Sequence, residues 1–405
     1  MVRRSVSMHL VLFICVMSLS ILFAERTFIY AKDVPGVTEN SIKVGFIFDQ
    51  TGPAANVTVP ITQGVRSYFR HNNDHGGING RKINLLVEDD RYAIPMAISA
   101  FKKLIFKDNV FILMGPTSTG AMTVLSKPIQ NNKIPTVSLI SPEITVKPFK
   151  RYIFTIQDIY PGQMKVLIDY MLKDRNPKEP RIGMIYPDNE TGKVDLEAAL
   201  KWLKFHNLSP VSTQVFNPGS VDASSQILNL KKNEVNHIIL PGGIPQTASV
   251  LLRDLKKYGL NVPVFGSWAT CDEAVIEMAK DAAKQFFSVN AMNSWYDEGP
   301  GLAKMREITL KDHPGTEKPY RGKTYTQGWL WGVMTLEGLK RTGRDLDREA
   351  FIDKMETIKN FDTGKLTGPI NYSSTSHKGG NTWKIFKADT ATGKFIPLTE
   401  WRESD

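Results

Sequence analysis

The chain reads as an α/β protein built from two doubly wound, parallel-sheet lobes of similar size. Two observations carry this reading. Short apolar runs alternate with helix-spaced stretches in two successive series that part near residue 157, the signature of parallel sheets covered on both faces. A length of 405 residues with 41% hydrophobic and 23% charged residues is a globular composition, long enough for about two or three domains. No long Pro/Ser/Gln tract, block of like charge or solenoid-like repeat interrupts it.

In the first series, Ile42 to Ile47 reads as a buried strand ending at Asp49-Gln50-Thr51-Gly52-Pro53. Ile61 to Asn73 has helical spacing through Ile61, Val65, Tyr68 and Phe69, and the glycines of His75-Gly76-Gly77-Ile78-Asn79-Gly80 stop it. Strand Lys82 to Val87, helix Met96 to Lys107, strand Val110 to Met114, a helix from near Ser118 and strand Pro135 to Leu139 follow. The second series begins after Phe154-Thr155-Ile156. It runs through helix Gly162 to Leu172, strand Arg181 to Tyr186, helix Val194 to His206 and strand Ser212 to Val215. Helix Asp222 to Lys232, strand His237 to Leu240, helix Gln246 to Tyr258 and strand Val262 to Phe265 complete the alternation. The stretch from Asn290 onward is too short and irregular for a third lobe. It is expected to divide between the other two, with helices Tyr320 to Arg341 and Asp347 to Lys359 and strands around Gly368 to Asn371 and Trp383 to Lys387.

The first residues read as an export signal. Arg3 and Arg4 precede Leu10 to Phe23, an uncharged apolar run that is shorter than the roughly 20 residues a membrane span needs. Cleavage after Ala24 or Ala31 fits the small-residue rule, so residues 1–31 are taken as a signal peptide and the mature chain as exported and soluble. The two cysteines are Cys15 and Cys271. The first is lost with the signal, which leaves Cys271 without an intramolecular partner. The formal charge of +10 falls to +8 once Arg3 and Arg4 are removed. Lysines and arginines are spread among acids without a dense basic cluster, so a solvated surface is expected and no nucleic-acid partner.

Catalytic patterns are missing. G-x-S-x-G, H-E-x-x-H and C-x-x-C do not occur. Gly115-Pro116-Thr117-Ser118-Thr119-Gly120 has the P-loop glycine spacing, but Ala121-Met122 stands where Lys-Ser/Thr is required. The first strand is followed by one glycine, Gly52, and not by a dinucleotide-binding fingerprint. His71 and His75 have the spacing of two zinc ligands on one helical face, yet they straddle a helix end, where histidines commonly cap carbonyls. Asp89-Asp90 reads as a solvated loop. No cofactor, no metal and no enzymatic activity are expected. One segment does invite a ligand: Thr117-Ser118-Thr119-Gly120 lies between a strand end and a helix start, where free N–H groups and the helix dipole favour an anion, although Ser and Thr also serve there as simple N-caps.

Taken in order, several segments resemble the leucine/isoleucine/valine-binding proteins of bacterial ABC importers. They are Ile42-Lys43-Val44-Gly45 with Thr51-Gly52-Pro53, His75 through Ile83, Glu88-Asp89-Asp90, the GPTST loop, Asn132 through Ser138, Pro241-Gly242-Gly243, and Tyr258-Gly259-Leu260 leading to Phe265-Gly266. The resemblance covers essentially the whole chain after the leader. It implies a type I periplasmic binding protein fold with a three-stranded hinge, the chain crossing near Thr155–Ile159, Val289–Asn293 and Leu366–Pro369. Lobe 1 would then hold residues 40–157 and 292–366, and lobe 2 residues 158–291 and 367–405. It further implies a periplasmic, monomeric protein that closes on a small-molecule carboxylate or amino acid and docks on ABC permease subunits. A ligand-presenting sensor for a membrane receptor or kinase is the alternative.

Carried over residue by residue, the resemblance assigns carboxylate binding to Thr119, with Ser118 beside it. The second hydroxyl-bearing segment reads Ile140-Ser141-Pro142, which leaves Ser141 as a further donor next to Ile140. The acid that pairs with a ligand ammonium falls at Trp268, an apolar wall in its place. Aromatic positions fall near Val57, Thr191 and Ile244, and the family's lobe-1 disulfide positions are Tyr92 and Ser118. Thr191 and Tyr325 are expected to line the cleft. Without Asp188, Glu190 or Asp272 as a substitute acid, a buried ammonium has no partner, which suits an aromatic or branched acid; an acid a residue or two from Trp268 would restore the pairing and with it a branched-chain amino acid as the alternative.

Overall fold

Strand Ser41–Ile47 (β1) sits inside the first sheet, one strand in from its edge, its Val44, Phe46 and Ile47 side chains fully buried. The computed structural model describes residues 34–312 and 322–404. The leader and its alternative cleavage points lie outside the described residues. From β1 the chain passes through helix Ala55–Asp74 (α1), strand Lys82–Glu88 (β2), helix Ile94–Lys102 (α2), strand Ile112–Met114 (β3), helix Thr119–Asn131 (α3), and strands Thr136–Ser138 (β4) and Ile153–Thr155 (β5). The five strands are parallel in the order β2-β1-β3-β4-β5.

The second sheet follows the same alternation. Helix Tyr160–Asp169 (α4) leads to strand Ile182–Pro187 (β6), helix Glu190–Phe205 (α5), strand Ser212–Phe216 (β7), helix Ser224–Lys232 (α6) and strand His237–Leu240 (β8). Helix Pro245–Lys257 (α7), strand Val264–Gly266 (β9), helix Glu273–Ala279 (α8) and strand Phe286–Asn290 (β10) continue it. Helices Pro300–Asp312 (α9), Lys323–Thr342 (α10) and Arg348–Glu356 (α11) come next, then strands Thr382–Asp389 (β11), Lys394–Pro397 (β12) and Arg402–Glu403 (β13). The order is β12-β11-β10-β9-β8-β6-β7, with β13 paired to β11. Strands β6 to β10 are mutually parallel and β11 is antiparallel to β10. Its core mixes aliphatic and aromatic side chains, built around Ile185, Ile238, Leu251, Val275 and Phe286.

Several elements differ from the sequence expectation. Helix α1 starts at Ala55, well before Ile61, although Pro60 lies inside it. The buried Asp49 carboxylate accepts from the N–H groups of Gly52 and Ala54 at 2.5 and 2.8 Å, and Thr58 donates to the Asp49 carbonyl. This external cap sets the entry, so local propensity does not decide it. The stretch from Asn290 is more regular than expected, containing α9 and β12 as well as α10 and β11. Around Gly368 to Asn371 there is only an isolated bridge, Phe361 to Ile370.

The chain crosses between the sheets in paired segments. Asn293 N–H donates to the Leu366 carbonyl at 2.9 Å, and Thr367 Oγ1 donates to the Ala291 carbonyl at 2.6 Å. At the other crossing Asp158 is buried and satisfied: it accepts from Ile159 N–H and Trp383 Nε1, each at 2.8 Å, and Lys378 Nζ lies 3.4 Å away. Helix α10 returns to the first sheet and packs on α1. Trp331 stands edge-on to Phe46 at 5.1 Å and donates to the Val137 carbonyl at 2.9 Å. Two glycines allow the close approach: a Cβ on Gly328 would meet the Ile61 carbonyl oxygen, and one on Gly64 the Tyr325 carbonyl oxygen.

Two outcomes follow from this packing. Gly328→Ala forces α10 away from α1 and should cost about 1–3 kcal/mol, read as a lower urea midpoint at unchanged m. The second concerns His377, buried face to face with Phe154 at 3.7 Å, its Nε2 3.1 Å from Glu356 Oε1 and its Nδ1 3.2 Å from the Ile153 carbonyl. Burial pushes its pKa down to about 3, against the Ile153 and Lys150 carbonyls, which favour the charged ring; Arg151 lowers it further. The folded state therefore refuses a proton that the unfolded chain takes below pH ~6.5. Stability should be full above that pH and fall as pH drops towards 3, by up to about 1.4 kcal/mol per unit. Urea titrations of the parent and His377→Phe at pH 7.5 and 5 check this, the variant losing that component.

Candidate functional site: a cleft between two rings of helix N-termini

Each of the parallel strands β1 to β9 delivers a residue to one cavity within five positions of its carboxyl end. In order they are Phe48, Tyr92, Thr117, Ile140, Tyr160, Asn189, Pro218, Gly242 and Trp268. The parallel topology dictates this, because every strand points the same way and every following helix starts at the same edge. The cavity has a volume of about 610 Å³ and draws on both sheets.

Most of its wall is apolar. The first lobe contributes Phe48, Val57, Ile61 and Ile140, and the second Phe216, Ile244, Val250 and Trp268. Its charged lining residues are Glu190 and Arg253, both exposed. The polar character comes from helix starts. Ser118 caps α3, its Oγ accepting from Ala121 N–H at 3.1 Å, so the N–H groups of Thr119 and Gly120 keep no acceptor within the helix. Asn189 caps α5 in the same way through Gly192 N–H at 2.8 Å. Helix α7 starts at Pro245 with no side-chain cap, leaving the N–H groups of Gln246 and Thr247 at the cavity.

A chain of hydroxyls closes the cleft. Thr119 Oγ1 of the first lobe lies 2.9 Å from Thr191 Oγ1 of the second. Tyr92 bonds to Thr191 and Tyr160 to Thr119, and burial pushes both phenols up from their ordinary range, with nearby Asp195 raising Tyr160 further. Behind this layer, Gln163 Nε2 donates to both oxygens of the buried Asp195 at 3.1 Å, and Gln163 Oε1 accepts from Trp268 N–H at 2.8 Å. Burial holds the Asp195 carboxyl well above the usual range against the hydrogen bonds from Gln163 and Gly242 N–H, which favours the protonated form. The Trp268 ring stacks towards Tyr160 with 6.4 Å between centroids.

Of the sequence candidates, the structure brings Ser118, Ile140, Thr191 and Trp268 into the cavity wall, with Thr119 directly behind at the inter-lobe contact. Ser141 and Tyr325 lie outside the wall. Ser141 Oγ donates to the Asp158 carbonyl at 2.7 Å and its own carbonyl accepts from Tyr160 N–H, so it steadies the crossing. Tyr325 is buried on α10 because that helix turns to α1; its hydroxyl lies 2.8 Å from Thr309 Oγ1 and its ring packs edge-on to Trp295. The positions read as displaced aromatics, Val57, Thr191 and Ile244, all line the cavity. Sequence reasoning missed Tyr92 and Tyr160 as cleft residues. The signal available for Tyr92 was its place just after a strand end, where Arg91 and Tyr92 both take positive φ.

Of the substitute acids, Asp188 and Asp272 are engaged elsewhere, and Glu190 lines the cavity only at its exposed edge. Asp188 is exposed and pairs with Lys193 at 2.9 Å. Asp272 faces the start of α10, accepting from Thr324 Oγ1 at 2.9 Å beside Glu273 and Lys323, a buried charged group in which burial pushes the Glu273 carboxyl up to about 7. His75 sits at the end of α1 with Nδ1 2.7 Å from the His71 carbonyl. Among the described residues no three His, Cys, Asp or Glu side chains are disposed to hold a metal, and no helix is long and apolar enough to cross a membrane.

A two-lobed α/β protein with a cavity at the carboxyl edges of both sheets is a solute-binding architecture without bond-making machinery. The profile of the periplasmic binding proteins matches residues 41–394, and the chain belongs to that family, a class of non-enzymatic solute binders. It is 23% identical over 359 residues to a Leu/Ile/Val-binding protein, BraC3, of Rhizobium johnstonii, covering 88% of this chain and 93% of that one. A branched-chain amino acid ABC transporter protein from Thermus thermophilus, solved with bound valine, superposes with a TM-score of 0.83 at 22% identity, covering 91% of this chain and 97% of that one. A fatty acid ABC transporter substrate-binding protein from Thermomonospora curvata gives 0.81 at 23%, covering 92% and 95%.

Cys271 is buried, and desolvation pushes its thiol far up from its ordinary range. A disulfide-exchange reagent should therefore fail to label the native protein over hours at pH 8 and label one thiol per mature chain in 6 M guanidinium. Fast native labelling or a covalent dimer would contradict this packing.

Proposed function

We propose that the chain captures a partly apolar carboxylate between its two lobes outside the cytoplasm and delivers it to the permease of an ABC importer. The observation that carries this reading is a cavity ringed by the N-termini of α3, α5 and α7 whose buried wall holds no ionised side chain. Helix starts offer unpaired N–H groups and a positive field, which suit a carboxylate. An ammonium brought into the same place meets that field and no buried carboxylate, at a cost of several kcal/mol. An amine-free acid is therefore the better fit, with Ser118 and Thr119 at its carboxylate and Trp268 and Ile140 against its apolar part. The two structural neighbours, one solved with valine and the other described as serving fatty acid transport, leave the choice to each cavity's own side chains.

In this reading lobe 1 comprises residues 40–157 and 292–366 and lobe 2 residues 158–291 and 367–405, the protein works as a monomer, and residues 1–31 direct export. Thermal shifts against two panels test the ligand class. One holds leucine, isoleucine and valine; the other holds isovalerate, 4-methylpentanoate and phenylacetate, which lack the amine. Saturation at 100 times Kd adds about 2.7 kcal/mol, a few degrees for a chain of this size. Stabilisation by the amine-free panel is expected. Stabilisation by the amino acids alone would overturn the amine-free assignment, and silence from both would overturn the carboxylate.

A further inference from the structure

The cavity does not end at the cleft. Along α7 its wall takes Gln246, Val250 and Arg253, the i, i+4 and i+7 positions of one helical face, with Ser249 between them. Seven residues of helix are about 10 Å of wall. Facing α7 are Phe216 and the following loop to Val221, and Met278 of α8. Ser249 offers no free hydroxyl proton, since it donates to the Pro245 carbonyl at 2.7 Å. Val221 is 85% exposed although it lines the cavity, which puts this end at the protein surface, and the exposed Arg253 lies on the same stretch of wall.

Resting on the carboxylate reading, we infer that this apolar arm along α7 receives the hydrocarbon chain of an elongated monocarboxylate, one about eight carbons long. The carboxylate stays at the helix starts and the chain passes Trp268 into lobe 2. Measured from the helix starts, a branched four- or five-carbon acid covers only the first part of that length and leaves the rest of the arm to water. The length follows from the geometry: about 10 Å of wall accepts roughly eight bonds at about 1.3 Å each, as in a backbone where three bonds span 3.8 Å. The chemistry follows from the side chains: Phe216, Val250 and Met278 give an unbranched chain continuous apolar contact, and the unpartnered Gln246 Oε1 lies at the arm's beginning, next to the start of α7.

The test is a calorimetric titration of the mature protein with butanoate, hexanoate, octanoate, decanoate and dodecanoate, each below its micellar concentration. Burying a methylene is worth about 0.8 kcal/mol, or roughly fourfold in affinity. Kd should fall two- to fourfold per added carbon up to about octanoate and level off beyond decanoate, where the chain emerges near Val221. Val250→Phe fills the arm and should reduce the ratio of octanoate to butanoate affinity at least tenfold. Val221→Asp, on an exposed loop where folding is not at stake, should abolish the remaining gain from octanoate to decanoate and leave the gain from butanoate to octanoate in place. Binding of butanoate and isovalerate with no gain towards octanoate would overturn the arm and leave the carboxylate reading intact. A length dependence kept in both variants would also overturn it, by placing the chain elsewhere. No binding at any length would overturn the arm and the carboxylate reading together.

Discussion

Strand direction is the constraint on which the site depends. Once β1 to β5 run parallel, and β6 to β9 likewise, every connection must return to the same edge, and every helix that follows a strand begins there. The connections then do two things at once. They supply lining residues from nine strand ends, and they aim first-turn N–H groups of α3, α5 and α7 at the space those residues enclose. Positive potential in the cavity thus comes from backbone, with no lysine or arginine in its buried wall. An arginine would carry its own long side chain and desolvation cost, whereas helix starts are fixed by the fold before any ligand arrives.

The buried acids around the cavity lie behind the wall, bound by backbone N–H groups and neutral side chains. Asp49 holds the entry to α1, and Asp90 accepts from Thr117 Oγ1 at 2.7 Å and from the N–H groups of Thr117 and Tyr92. Asp195 is bound to Gln163, which in turn holds the Trp268 backbone. Burial raises the pKa of both Asp90 and Asp195, so negative charge is disfavoured close to the cavity. The result is a wall whose shape is fixed by carboxyl groups but whose field is set by helices. Trp268 fits this scheme: its indole faces the cavity and its backbone N–H is held by Gln163 Oε1.

Much of this was legible in the residues. The alternation of strands and helices appears in the apolar spacing, and the GPTSTG segment declared a strand end followed by a helix start, where Ser118 does cap α3. The reading failed where partners are distant in sequence. Tyr325 has the look of a cleft aromatic, but Gly64 and Gly328 let α10 settle on α1, and that contact joins residues more than 250 positions apart. Ser141 was matched by position in a loop, yet its hydroxyl answers the Asp158 carbonyl at the crossing. Tyr160 was invisible because it opens α4 just after that crossing, and which way such a residue faces is set by how the lobes meet.

How the lobes meet also decides what drives closure. Away from the cavity the buried Asp272, Glu273 and Lys323 group joins α8 to the start of α10; at the cavity the polar contacts between the lobes are neutral hydroxyl pairs, Thr119 with Thr191, Tyr160 with Thr119 and Tyr92 with Thr191. Each is worth about 1 kcal/mol net, because water replaces it when the cleft opens. Such pairs fix register, but they give little preference for the closed state in the absence of ligand. A solute shifts the equilibrium only by its differential affinity for the closed form. Here that difference is largely apolar area, since Val57, Ile61 and Ile140 of one lobe and Ile244, Phe216 and Trp268 of the other enclose the ligand only when they face each other. At about 25 cal/mol per Å² of apolar surface, the hydrocarbon chain proposed for this cavity would be a stronger closing force the longer it is. Affinity and closure are then one quantity, read from how much of the chain both lobes cover.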